Sequence, residues 1–179
     1  MKKLTLVTLI LVMACTFVFA ADEKISLNIC PFSFSVYPTS NADDELNKST
    51  GGMGAGVGFV TNLNDSGFLL GADVLVAKYK IVDRTDFLDV FATVRGGYQF
   101  FKTDKFAIEA YAKAGIDFEY FEYDFGFAPI FGLGFETEFK TAEHLCVFAG
   151  GEVFLSRADA EYKYFAYRFN TLVGLKYAF

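Results

Sequence analysis

The chain has 179 residues and a formal net charge of −6, and it is 53% hydrophobic, with 23 Phe, 10 Tyr and no Trp. That length suits one domain. An acidic chain without a basic cluster argues against nucleic acid as a partner.

At the N-terminus, Lys2 and Lys3 precede an uncharged stretch from Leu4 to Ala20, and Val18-Phe19-Ala20 fits a signal peptidase site. The sequence therefore predicts a signal peptide over residues 1–20 and an exported domain over 21–179. Cleavage takes the formal charge from −6 to −8, since both lysines leave with the leader. Val12-Met13-Ala14-Cys15 loosely resembles a lipoprotein box, which leaves lipidation of Cys15 as an alternative. Cys30 and Cys146 remain in the exported domain. Two strands apart in the order below, they are too distant for a disulfide and are expected as buried thiols.

From Lys24 onward, apolar residues recur at every second position, the period of a strand with two unlike faces. In the first strand Ile25, Leu27 and Ile29 share one parity, whereas Phe32, Phe34 and Val36 take the other. The slip falls at Cys30-Pro31, and a proline beside a parity change predicts a β-bulge. A polar connection over 38–51 leads to a short glycine-rich strand carrying Met53, Ala55, Val57 and Phe59. Strands follow around Phe68–Val76, Leu88–Phe100, Phe106–Tyr120, Phe127–Glu136, Leu145–Leu155 and Tyr167–Phe179. The pattern thus predicts eight strands. The connections near 62–66, 102–105 and 140–143 are tight; those near 80–86, 121–125 and 157–163 carry more charge and are expected to be longer. That alternation has the phase of a barrel with short turns on the periplasmic side and loops outside.

Alternation alone does not say which face is inside. A soluble lipocalin-like barrel also alternates, with its apolar face inward. Here the apolar parity is free of charge through every strand core. Its aromatics Tyr98, Phe100, Phe106, Phe118, Tyr120, Tyr167, Tyr177 and Phe179 cluster toward strand ends, as girdles at two membrane interfaces would. The other parity mixes charges with glycine and with Phe91, Tyr111, Phe121, Phe148 and Phe154, a mixture suited to a packed lumen. The expected fold is all-β: an eight-stranded antiparallel transmembrane up-and-down β-barrel following a cleaved signal peptide, in the cell outer membrane.

That lumen would hold Asp73, Asp89, Glu109, Asp117, Glu119, Glu136 and Glu152 against Arg95, Lys113, Arg168 and Lys176. These groups read either as a neutralising ion network in a filled interior or as a narrow ion pathway. No catalytic set is expected. The one histidine, His144, lies beside a tight turn, away from the larger loops where such sites are built, and reads as a turn or interface residue. No His/Cys cluster or calcium-loop spacing is present, so neither a metal nor another cofactor is expected.

The terminal Gly174-Leu175-Lys176-Tyr177-Ala178-Phe179 resembles the β-signal of outer-membrane proteins through Gly174, Tyr177 and Phe179, with Leu172 departing from it. Residues 24–179 resemble the OmpA/OmpX-type superfamily of small outer-membrane barrels in architecture. The resemblance implies recognition of the last strand by the barrel-assembly machinery, with outer-membrane lipid as the surrounding partner. A structural or surface-interaction protein is expected, monomeric, with the 39–51 loop as the place for an extracellular partner. The alternatives are a periplasmic barrel binding a small hydrophobic ligand and a porin-like channel.

Overall fold

The computed structural model describes residues 23–36, 50–63, 66–80, 87–121, 124–159 and 163–178. The leader with Cys15, most of the 39–51 loop and Phe179 lie outside them. The described chain is a succession of strands: β1 Glu23–Val36, β2 Thr50–Leu63, β3 Phe68–Lys80, β4 Phe87–Lys102, β5 Phe106–Phe121, β6 Asp124–Lys140, β7 Leu145–Asp159 and β8 Lys163–Ala178. Each pairs antiparallel with the next, and β1 also pairs with β8, so the up-and-down sheet closes on itself. Strands of 13 to 17 residues exceed the roughly 9–11 that a tilted strand needs to cross a bilayer.

Three tight turns gather at one end, and each is fastened by a hydroxyl residue. The Ser66 hydroxyl donates to the Leu63 carbonyl and accepts from the Phe68 amide at 3.2 Å. The Thr103 hydroxyl accepts from the Phe106 amide at 3.0 Å, and the Thr141 hydroxyl donates to the Leu145 carbonyl at 3.0 Å. Gly67 takes a positive φ of 82°, where a side chain would be strained and would also press on the Tyr98 ring. This is the turn end; the opposite rim is the loop end.

The bulge expected at Cys30-Pro31 is present. The register shifts between Cys30 and Ser33 against β2, and between Ile29 and Phe32 against β8. A second irregularity, not foreseen, falls between Gln99 and Phe101 and turns Phe100 and Phe101 both outward. Two adjacent aromatics at a strand end were its only trace in the sequence.

Several strands run further than the alternation suggested. β2 spans Thr50–Leu63, well beyond its short apolar signal, because its inner-face glycines let β3 close over it. A Cβ on Gly52 would stand 2.7 Å from the Tyr79 ring. At the loop end β7 and β8 pair out to Asp159 and Lys163, and only residues 122–123 separate β5 from β6. The expectation of longer connections there is thus corrected for β5–β6 and for β7–β8, where only residues 160–162 intervene. These added pairs carry no apolar alternation, so in sequence they resemble loops.

The two walls differ sharply. Outside, Val57, Val94, Phe131 and Leu133 are more than half exposed, Leu133 at 70%. Inside, Glu109, Asp117, Glu136, Arg168 and Lys176 are almost wholly enclosed, Glu109 at 1%. Aromatic pairs edge the outer wall at the turn end: Phe68 meets Tyr98 edge-on at 5.1 Å, and Phe106 meets Phe139 at 4.7 Å. At the loop end Tyr120, Phe127 and Tyr167 stand exposed. Cys146 carries a free thiol, half-buried where full burial was expected, and lies on β7 with β8 between it and β1.

Candidate functional site: the charged lumen

Antiparallel registers set inward positions of neighbouring strands side by side, and the tilt and stagger of the strands bring long side chains together across the register. Arg95 stands opposite Lys113, and Glu109 opposite Glu136. Asp89 stands opposite Glu119. The result is three layers of ion pairs.

In the layer nearest the turn end, Arg95 reaches Glu109 at 3.2 Å and Glu136 at 3.5 Å. Lys176 lies 3.5 Å from Glu109 and pairs with Glu136 and Glu138. The Gln99 amide donates to the remaining oxygen of Glu109 at 3.1 Å. Two aromatic faces lie beneath these cations: Tyr111 under Arg95 at 4.7 Å and Phe148 under Lys176 at 5.2 Å.

The middle layer centres on Lys113. Its ammonium lies 3.0 Å from Asp73 and pairs with Glu152. The Thr93 hydroxyl donates to Asp73 at 2.9 Å, and the Tyr111 hydroxyl donates to Glu152 at 2.9 Å. Tyr111 reaches Glu152 by lying across β6 over Gly134; a Cβ there would stand 2.4 Å from the ring. Phe154 lies over Gly132 in the same manner.

Toward the loop end, Arg168 is surrounded by Asp117, Glu119 at 2.6 Å and Asp89 at 3.2 Å. Its guanidinium sits 5.1 Å from the Phe91 ring centre, and Phe91 stacks on Phe154 at 5.9 Å.

The structure thus brings together all eight network residues named from the sequence: Asp73, Asp89, Arg95, Glu109, Lys113, Glu136, Glu152 and Arg168. Asp117, Glu119 and Lys176 join them. Glu138 was missed because the predicted sixth strand stopped at Glu136, although the same parity continues through it. Thr93, Gln99 and Tyr111 as hydrogen-bond donors were legible only as inward positions. Among residues whose side chains are described, the buried lumen holds eight carboxylates and four cations.

At the chain's end, Gly174 lies in register with Phe148, and Tyr177 is exposed on the outer wall in register with Ile25 and Leu145. His144 sits exposed on the β6–β7 turn, its Nδ1 3.1 Å from the Ala178 carbonyl oxygen and its ring 6.0 Å from that of Tyr177.

An up-and-down antiparallel sheet with an apolar outer wall and a charged interior has the fold of the small outer-membrane β-barrels of the OmpA/OmpX type. Among solved structures, Neisserial surface protein A is similar over 88% of this chain and 97% of its own, with a TM-score of 0.67 at 13% identity. Ail, the attachment invasion locus protein of Yersinia pestis, matches over 89% of this chain and 100% of its own, with a TM-score of 0.51 at 12% identity. The outer membrane protein OprG from Pseudomonas aeruginosa matches over 89% and 96%, with a TM-score of 0.51 at 14% identity. No protein-family model matches the chain, and no curated protein matches it.

Proposed function

We propose that the chain is an integral protein of the cell outer membrane, an eight-stranded transmembrane barrel with a filled lumen and a structural or surface-interaction role. One observation carries this reading: the greasy wall faces outward and the ions face inward. In water that arrangement would expose a continuous apolar band and bury many charges. In hydrocarbon it hides every strand's polar backbone within the sheet and pairs the charges away from lipid. A periplasmic barrel holding a hydrophobic ligand would require the reverse.

The layered ion pairs and the Phe91–Phe154 stack favour a plug over a conducting path, since eight strands leave room for little more than side chains. The role needs no catalysis, and His144 contacts a backbone carbonyl at the turn end. In biogenesis, Gly174, Tyr177 and Phe179 would present the last strand to the barrel-assembly machinery. The finished barrel would stand as a monomer in lipid and could meet an extracellular partner through the 39–51 loop.

Carbonate and urea extraction of cell envelopes tests the reading, paired with planar-bilayer recording of the purified barrel. The protein should stay in the membrane pellet and give no steady conductance. Release into the supernatant would overturn the integral placement, and discrete sustained channels would overturn the plug.

A further inference from the structure

The charge balance of the lumen is uneven. Near the turn end three carboxylates, Glu109, Glu136 and Glu138, face two cations, Arg95 and Lys176. In the middle, two carboxylates face Lys113. Toward the loop end, among the described side chains, three carboxylates share Arg168, a formal −2 for those four groups. Oxygens of Asp89, Asp117 and Glu119 lie within 4.8 Å of one another.

A second observation concerns the oxygens themselves. Asp89 and Asp117 are fully enclosed, at 0% exposure, yet neither oxygen of Asp89 accepts a hydrogen bond, and neither does Oδ1 of Asp117. Arg168 turns its two terminal nitrogens to Asp117 Oδ2 and Glu119 Oε1, and approaches Asp89 without donating to it. The guanidinium is held over Phe91, on one side of the cluster. A buried carboxylate without donors is costly, and two protons would be needed to neutralise this group. One divalent cation would do so at once and would engage the donor-free oxygens.

We propose that Asp89, Asp117 and Glu119 bind a hard divalent cation, calcium or magnesium, at the loop end of the lumen. Oxygen-only ligands are what such ions take, completed by water. Entry is short: Asp89 is the third residue of β4, and Glu119 lies two before the end of β5. The ion would tie β4 and β5 to β8 through the carboxylates that also hold Arg168.

The purified full barrel in lipid nanodiscs, dialysed against calcium or magnesium chloride, tests this by metal analysis and by its urea midpoint. About one tightly held ion per barrel is expected, with a higher midpoint than in chelator. Asp89→Asn and Glu119→Gln should each weaken binding by about tenfold or more. Asp73→Asn, in the middle layer, should bind as the unaltered barrel does. Absence of bound metal at millimolar concentration overturns the proposal. So does equal binding by Asp89→Asn and Glu119→Gln, which would place the ion in the loops or on lipid headgroups.

Discussion

Val94 and Arg95 are adjacent in β4, yet Val94 is 63% exposed on the outer wall, whereas Arg95 is enclosed between Glu109 and Glu136. One step along the strand separates the exposed apolar wall from an ion network. That step is the period-two geometry of the pleat, and it makes the two positions opposite in what they tolerate.

Val94→Arg should therefore cost about 2–4 kcal/mol at mid-membrane and deplete the folded form. The double variant Arg95→Val, Glu109→Gln removes a cation and its carboxylate together, keeps Lys176 with Glu136 and Glu138, and should leave more folded protein. Heat-modifiable mobility on gels, comparing unboiled samples of the two variants, reads the difference. Equal folding of both would contradict the assignment of the walls.

Among the described residues Lys113 is the cation that pairs directly with both Asp73 and Glu152. Lys113→Met leaves two buried carboxylates facing each other and should destabilise the barrel by about 3–5 kcal/mol. The triple variant Lys113→Met, Asp73→Asn, Glu152→Gln should recover much of that loss. Urea titration of refolding in micelles checks both; a Lys113→Met barrel as stable as the parent would remove the middle layer from the account.

Tyr111 spans β6 over Gly134 to reach Glu152 on β7. Gly134→Ala should cost about 1–3 kcal/mol through the clash with the ring. Tyr111→Phe, which loses the donor to a buried carboxylate, should cost about 1–3 kcal/mol. Combining Gly134→Ala with Tyr111→Ala should give less than the sum of the two single losses, because the clash disappears with the ring. Strict additivity in the same titration would count against the contact.

The walls and the network were legible in the sequence for one reason: every inward carboxylate and cation falls on the parity opposite Val57, Val94 and Leu133. Pro31 beside a parity change gave the first bulge. What alternation cannot carry was lost. Glycine has no face, so β2 looked short, although Gly52 is where Tyr79 closes in. Past the apolar band, Asp159 and Lys163 pair in register while reading as loop. The grouping into layers, and the crowding of three carboxylates on Arg168, come from the stagger between strands, which no single strand encodes.

The most direct measurement places a fluorophore on single cysteines introduced at Val57, Val94 and Leu133, with Cys30 and Cys146 replaced by serine, in bilayers of acyl-chain nitroxide lipid. Strong quenching by the lipid nitroxide, with little by aqueous iodide, is the expected result at all three positions. Quenching by iodide alone, or by neither reagent, would mean that these side chains meet water or protein, and the outward orientation of the apolar wall would be wrong.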